Sequence, residues 1–480
     1  MRIPVHAISE ECTNTAIILA AILTLGGCAV GPDYVPPTPL APASWQHDLF
    51  GADMEANAEL LAQWWETLGD PVLTDLIGRA VKGNHDVREA RSRVVEARAR
   101  RGIQQAGLFP TLDASGSVEV LRRGEMSSVG GQRELYNVGF DAGWEVDVFG
   151  GQRRTVEAAS ADMEASEADL HDALVTLLGE VALNYVDART YQARIAVAEA
   201  NLESQRQTLQ LAEWLFQAGL SDELAVQQAR YNMENTRSLL PSLRSGLEET
   251  QNRIAVLLGE VPGAVRVEFQ EQKPIPVPFL EIAVGVPAET LRRRPDVRRA
   301  ERELAAQTAR VGAATAELYP KLSLLGSIGL ESLSAGDLFS AGSRAYSVGP
   351  TVTWPVFHAG AIRKNIEAES AAQEQALSRY EATVLTALEE VENALVAFAS
   401  EQDRRQALEE ATRAARRSAE LSEKQYVAGH VDFSGVLESQ RSLLTFQDQL
   451  TASEGAVTGN LIRLYKALGG GWSSFGMEEK

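Results

Sequence analysis

Tyr136-Asn137-Val138-Gly139-Phe140-Asp141-Ala142-Gly143-Trp144-Glu145-Val146-Asp147-Val148 is apolar at every even position and polar or glycine at every odd one. Just upstream, 111–121 does the same. Leu112, Ala114, Gly116, Val118 and Val120 alternate with Thr111, Asp113, Ser115, Ser117 and Glu119. Side chains of a strand point alternately to its two faces, so each stretch predicts a strand with one apolar and one wet face. A soluble sandwich alternates too. The length favours a membrane barrel, whose tilted strands need ~9–11 residues each. Tyr136 and Trp144 read either as an interfacial girdle or as ordinary strand aromatics.

The pattern occurs again, less strictly, in 321–331 and 346–356, with Tyr346 and Trp354 in the matching places. This is one case of a general repeat. Asn84-His85-Asp86-Val87 lines up with Arg294-Pro295-Asp296-Val297, Phe109-Pro110 with Tyr319-Pro320, and Phe216-Gln217-Ala218-Gly219 with Tyr426-Val427-Ala428-Gly429. Leu257-Leu258-Gly259 lines up with Ala467-Leu468-Gly469, and the members of every pair stand 210 positions apart. Chance matches would scatter in offset, so the chain is a tandem duplication. The join, 260–288, is rich in Pro and Val and predicts an extended linker.

Around its strands each repeat is helical. The opening stretches 73–107 and 289–317 are rich in Ala, Arg, Glu and Val and end at Phe109-Pro110 and Tyr319-Pro320. Long proline-free stretches, 152–217 and 361–427, follow the strands and would each reach about 100 Å as helix. They stop at Ala218-Gly219-Leu220-Ser221-Asp222 and Ala428-Gly429-His430-Val431-Asp432, where glycine suits a helix end and Asp the next N-cap. Returning helices are expected over 223–258 and 433–468, the first kinked at Pro241. The opening and returning helices together match the long one in length, so each repeat predicts a helical hairpin with two strands at its far end.

Four strands cannot close a barrel, and lipid does not tolerate an open sheet edge. Oligomerisation is therefore required. Two copies would give eight strands with a filled interior; three would give twelve and a channel. The polar odd positions want water, which favours twelve. The expected fold is mainly α with a transmembrane β-barrel, a tandem-duplicated protomer closing as a trimer into a 12-stranded barrel plus a 12-helix tunnel.

Composition excludes several other classes. Of 480 residues 66 are acidic and 45 basic, a net charge of −21, which leaves no broad basic face for nucleic acid. Two cysteines, Cys12 and Cys28, build neither a disulfide framework nor a multi-cysteine metal site. No phosphate loop, H-E-x-x-H, G-x-S-x-G or CxxC motif occurs, and the six histidines are scattered, so neither an enzyme nor a cofactor or metal site is expected.

The N-terminus is an address. Ala16 to Leu25 is a ten-residue apolar run, too short to span a bilayer but the length of a signal-peptide core, and Leu25-Gly26-Gly27-Cys28 resembles a bacterial lipobox. Cleavage after residue 27 would leave Cys28 as the lipidated first residue, carrying diacylglycerol and palmitate. Glu10 and Glu11 are unusual in a leader, and a start codon assigned too far upstream would account for them.

At this point the chain resembles the TolC-type outer membrane efflux factors, in particular the NodT/OprM-like lipoprotein branch that serves RND pumps. The resembling stretches are Cys28-Ala29-Val30-Gly31-Pro32-Asp33-Tyr34, Trp64-Trp65 with Asp70-Pro71-Val72-Leu73, Arg294-Pro295-Asp296-Val297 with Ala300-Glu301, and Tyr465 to Trp472. The resemblance implies a homotrimeric, non-enzymatic exit duct in outer-membrane lipid, working with a periplasmic adaptor and an inner-membrane RND pump. It divides the chain into a signal peptide (1–27), a lipidated segment (28–72), two efflux repeats (73–259 and 289–469) around the linker, and a tail (470–480). It places Glu438 at the periplasmic gate, where relatives usually carry Asp, and Ser434 one turn earlier, where they often carry a bulkier plug. The adaptor contacts it implies are Ala218, Gly219 and Leu220, and Ala428, Gly429, His430 and Val431. A pH-sensing His430 and a merely solvated one are both open. A duct for an MFS pump or type I secretion is the alternative partner reading. A periplasmic coiled-coil scaffold lipoprotein is the other class, and it leaves the amphipathic strands unexplained.

Overall fold

The computed structural model describes residues 29–38, 41–47, 61–123, 131–276 and 287–475. Cys28 and the leader 1–27 lie outside these, as do 277–286 of the expected linker and the end of the tail. Among the described residues the elements are α1 (Pro71–Gly83), α2 (His85–Ala106), β1 (Thr111–Arg123), β2 (Gly131–Val146), α3 (Gly151–Gln217) and α4 (Glu223–Leu257). The second repeat supplies α5 (Pro287–Arg293), α6 (Pro295–Ala316), β3 (Lys321–Ser332), β4 (Arg344–Thr353), α7 (Ala361–Val427) and α8 (Phe433–Ala467). The long helices α3 and α7 each have 67 residues and the returning ones 35. No helix among the described residues is long and apolar enough to cross a membrane.

The opening stretches differ from expectation. Each is two helices, not one. The first begins at Asp70-Pro71, where the Asp70 Oδ1 accepts from the Val72 N–H at 2.9 Å. It breaks at Asn84, whose backbone is extended (φ −61°, ψ 134°) and whose Oδ1 caps α2 by accepting from the Val87 N–H at 3.0 Å. The same side chain donates through Nδ2 to the Leu257 carbonyl, 2.9 Å away at the end of α4. In the second repeat Arg294 does that work, donating to the Ala467 carbonyl at 2.6 Å. Gly83-Asn84 and Pro295 are local signs of the break that the expectation passed over, whereas the acceptors on Leu257 and Ala467 come from tertiary structure. The linker also departs from a plain extended run: 262–266 is turn, followed by a 3₁₀ turn at Val267–Phe269. Helix α4 runs unbroken through Pro241, which leaves the Arg237 carbonyl without its ladder partner.

The chain forms two compact units. One comprises the segment up to Thr38 with Arg93–Ser166 and Arg299–Tyr380, and it holds the sheet. The strands run antiparallel in the order β1-β2-β3-β4. Register pairs even residues with even ones throughout: Val118 with Tyr136, Phe140 with Ile328, Trp144 with Leu324, and Ile328 with Tyr346. The apolar sets of all four strands therefore share one face. The other carries Asp113 opposite Asp141, Asp141 opposite Ser327 and Ser327 opposite Ser347. Strand β4 ends at Thr353, short of the expected 356, because Pro355 has no N–H to give a ladder.

The other unit comprises Pro39–Ser92, Glu167–Arg298 and Glu381–Lys480. Its core includes Tyr185, Leu178, Ile254, Leu461 and Tyr465. Trp64 stacks on Tyr465 at 5.5 Å, and Trp65 on Phe475 at 5.6 Å. Arg189 is fully buried here. It donates to the Tyr185 hydroxyl, to Gln192 and to the Glu268 and Glu271 carbonyls, and lies 4.9 Å over the Phe269 ring. That network ties α3 to the turn-rich stretch after α4.

Candidate functional site: strand face and helical tips

Two features stand out: the sheet's amphipathic faces and the turns that end the long helices. On the apolar face Val118 is 64% exposed, Phe140 54%, Ile328 65% and Val348 75%. Side chains this apolar and this bare in every strand need a nonaqueous neighbour. Among the described residues the sheet's two outer strands, β1 and β4, have no partner on their far edges.

The aromatic residues are placed unevenly. The Trp144 indole donates to the Leu108 carbonyl at 3.0 Å, and the Trp354 indole to the Leu318 carbonyl at 3.1 Å. Both acceptors lie in the turn that follows an opening helix, so each indole ties the foot of a strand to a helix end. Trp354 lies one residue past β4. Tyr136 donates to Glu134 at 2.7 Å, and Tyr346 stands 84% exposed. This indole-to-carbonyl tie was not foreseen, although Trp144, Trp354, Leu108 and Leu318 all obey the 210-residue offset.

Each tip turn is closed by backbone geometry that the sequence dictates. Gly219 has φ +70° and Gly429 has φ +76°, a region costly for any residue with a Cβ. The Leu220 N–H then donates to the Leu215 carbonyl at 2.8 Å, and the His430 N–H to the Gln425 carbonyl at 2.9 Å. Both are Schellman closures. Asp222 caps α4 by accepting from the Ala225 N–H at 3.0 Å; Asp432 sits in the same place without a side-chain cap bond. Ala218, Gly219, Leu220, Ala428, Gly429 and His430 are exposed, and Val431 is half-buried. Behind the turns Ala212, Val226, Ala229, Phe433 and Leu437 pack together with Tyr426, and Asn232 donates to the Leu437 carbonyl at 3.2 Å. The two hairpins thus share one small apolar core at their tips.

Ser434 and Glu438 are both exposed on α8, one turn apart. Glu438 is ion-paired with Arg441, one turn further on. Sequence reading singled out the glutamate and missed its arginine, although the i,i+3 spacing was there to be read. His171 was missed as well. Its ring stacks on Trp472 at 4.2 Å, and burial together with the nearby Arg298 pushes its pKa down to about 4, so it sits neutral.

A family model described as "Outer membrane efflux protein" matches residues 76–260 and 286–470. "Nodulation protein T" of Rhizobium leguminosarum bv. trifolii is 33% identical over 438 residues, 89% of this chain and 91% of that protein. "Solvent efflux pump outer membrane protein SrpC" of Pseudomonas putida is 32% identical over 460 residues, 94% of this chain and 97% of that protein. The solved structure of the outer-membrane channel OprN matches with a TM-score of 0.88 at 35% identity, covering 93% of this chain and all of that one. Duplicated helical hairpins with two amphipathic strands apiece thus define an outer-membrane channel subunit. The chain belongs to the outer membrane efflux protein family and is an efflux channel of the outer membrane.

Proposed function

We propose that this chain is the exit duct of a tripartite RND-type pump and that three copies close into one twelve-stranded barrel above a helical tunnel. The observation that carries the reading is the sheet: one face apolar in every strand, the other polar apart from Leu121, Leu135 and Leu325, and both edges open among the described residues. Only closure with further copies satisfies those edges in lipid. The polar face then lines a wet lumen through which small toxic compounds pass without any catalytic step. The relatives' names point to solvents, toluene and pyoverdine as cargo of those proteins. Amphiphilic small molecules are the corresponding cargo class here. Cys28 is read as the lipidated first residue. Ala218–Leu220 and Ala428–Val431 are read as the adaptor contacts. Tyr136, Trp144, Tyr346 and Trp354 are read as interfacial aromatics, the two tryptophans doubling as ties.

Glu438 is read as the gate. Three glutamates near one axis repel and favour a cation, and Arg441 beside each offsets part of that repulsion. The test is single-channel recording in planar bilayers. Glu438→Ala should raise conductance and lower cation preference, and Arg441→Ala should sharpen cation preference. Unchanged conductance and selectivity in both variants would remove this turn of α8 from the gate.

A further inference from the structure

The duplication lets one tip be compared with the other, position by position. Trp214, Leu220, Leu224 and Tyr231 of the first hairpin (α3 and α4) stand 210 positions before Lys424, His430, Ser434 and Arg441 of the second (α7 and α8). All of them are exposed, Trp214 by 59% and Leu224 and Tyr231 by 61% each. One tip therefore presents apolar and aromatic side chains where the other presents polar and cationic ones. A lone exposed leucine needs no explanation, but two aromatic rings and a leucine on one face mark an interaction surface.

Helix geometry sets which way that face looks. Two residues turn a helix by about 200°. Ala212 and Ala229 lie in the apolar core that the hairpins share, so Trp214 and Tyr231, each two residues further on, look to the opposite side. Leu224, seven residues before Tyr231, lies on the same stripe. Arg230 of α4 pairs with Glu213 of α3 at 3.1 Å, which brings the two aromatic rings to one level. In the second hairpin Tyr426 packs against the shared core, and Lys424, two residues earlier, looks away from it. The Lys424 ammonium has no ion-pair partner among the described residues. Arg417, seven residues up the same stripe, is paired with Glu420 at 3.1 Å.

Closure decides what meets these two backs. In a closed trimer each hairpin has two neighbours. One is the other hairpin of its own chain, met through the shared core; the second belongs to the next copy and is met on the opposite side. The contact is heterologous, so the back of a first hairpin faces the back of the next copy's second hairpin. An aromatic back and a cationic back are complementary, because the face of an aromatic ring attracts an ammonium. We propose that the back of the first hairpin is the docking surface for the second hairpin of the next copy, with Lys424 seated against the Trp214 and Tyr231 rings. The proposal rests on the reading of the chain as a closed trimer and assigns the contact between copies at its tips.

The test uses the full-length chain in outer membranes of cells that make no adaptor. Trp214→Cys and Lys424→Cys are placed together on the chain and treated with a short bismaleimide. Within one chain the two positions look away from each other, so links form only between copies. Denaturing gels should show bands of two and three chains, and each single variant should stay a monomer. If that pair fails to assemble, Tyr231→Cys with Lys424→Cys repeats the test. Open and closed dwell times in planar bilayers read the chemistry of the contact. Lys424→Met and Trp214→Leu should each raise the open-to-closed ratio about two- to fivefold, the size of one exposed cation–ring contact. Lys424→Arg and Trp214→Phe should match the parent. Light scattering of the detergent-extracted parent separates this proposal from the reading beneath it. A mass of three chains without crosslinks would overturn the contact and leave the trimer standing. A mass of one or two chains would remove the trimer and the contact with it. Crosslinks with unchanged dwell times would overturn the cation–ring pairing. A link from Trp214→Cys to a co-expressed adaptor, in place of a second copy, would give the surface to that partner and overturn the proposal.

Discussion

Arg294→Met is the most informative single change to stability. The methionine fills much the same space but removes four hydrogen bonds. Arg294 donates to the Ala467 carbonyl at 2.6 Å, to both oxygens of Asp296 at 3.0 and 2.8 Å, and to Glu390 at 2.6 Å. Its side chain is 7% exposed, while those of Asp296 and Glu390 are 21% and 51% exposed. Removing one member of a buried ion pair costs about 3–5 kcal/mol, because the stranded charge stays desolvated. Glu390 is half in water and recovers its hydration, so the low end applies, about 3 kcal/mol. That is roughly a hundredfold in the folded-to-unfolded ratio. The stranded charges, more than the lost bonds, cause the loss. Arg294→Met with Asp296→Asn and Glu390→Gln should therefore recover more than half of it. The assay is urea unfolding of detergent-extracted protein followed by tryptophan fluorescence, comparing midpoints at equal slope. A single variant within about 0.5 kcal/mol of the parent, the range of ordinary surface changes, would refute the reasoning. So would a triple variant no better than the single one.

Asn84→Ala tests the same joint in the first repeat, where no charge is stranded. It leaves the Leu257 carbonyl unpaired and α2 uncapped, and should cost about 1–3 kcal/mol in the same assay. Placing Asp at Val118 or Phe140 puts a charge on the apolar sheet face. Membrane-assembled protein, measured by outer-membrane fractionation, should fall, and normal assembly of both would reverse the assignment of faces. Folding holds His171 neutral, with a pKa near 4 against about 6.5 unfolded, so its contribution is intact above about pH 6.5 and is lost as pH falls towards 4. His171→Phe keeps the stacking on Trp472 and should flatten the stability profile across that window; an unchanged slope would show that other groups set it.

Much of this was written plainly in the chain. The strands were legible because alternation needs no partner to be read, and register then had to put the apolar set on one side. The tips were legible because a positive φ selects glycine and a helix start selects Asp. What stayed hidden has a common physical cause. The breaks at Asn84 and Arg294 are marked locally by Gly83-Asn84 and Pro295, but the ties those two side chains make reach carbonyls about 170 residues away. Local propensity cannot see those acceptors. Arg189 looked like one more helical arginine among many, and only burial gives it its role. The alignment of Asn84 with Arg294 did mark the joint. It gave no sign that two unlike side chains were doing one job.

The open edges of the four-stranded sheet have a genetic corollary. A ring of three identical chains has three seams, each made from a β1 of one copy and a β4 of the next. One copy with a spoiled β4 edge breaks one seam, and a barrel with one broken seam is not closed. In a cell making intact and spoiled chains in equal amounts, only about one ring in eight is built wholly from intact copies. Lesions in these edge strands should thus act dominantly. A chain too unstable to reach the membrane would instead be recessive, since it never joins a ring.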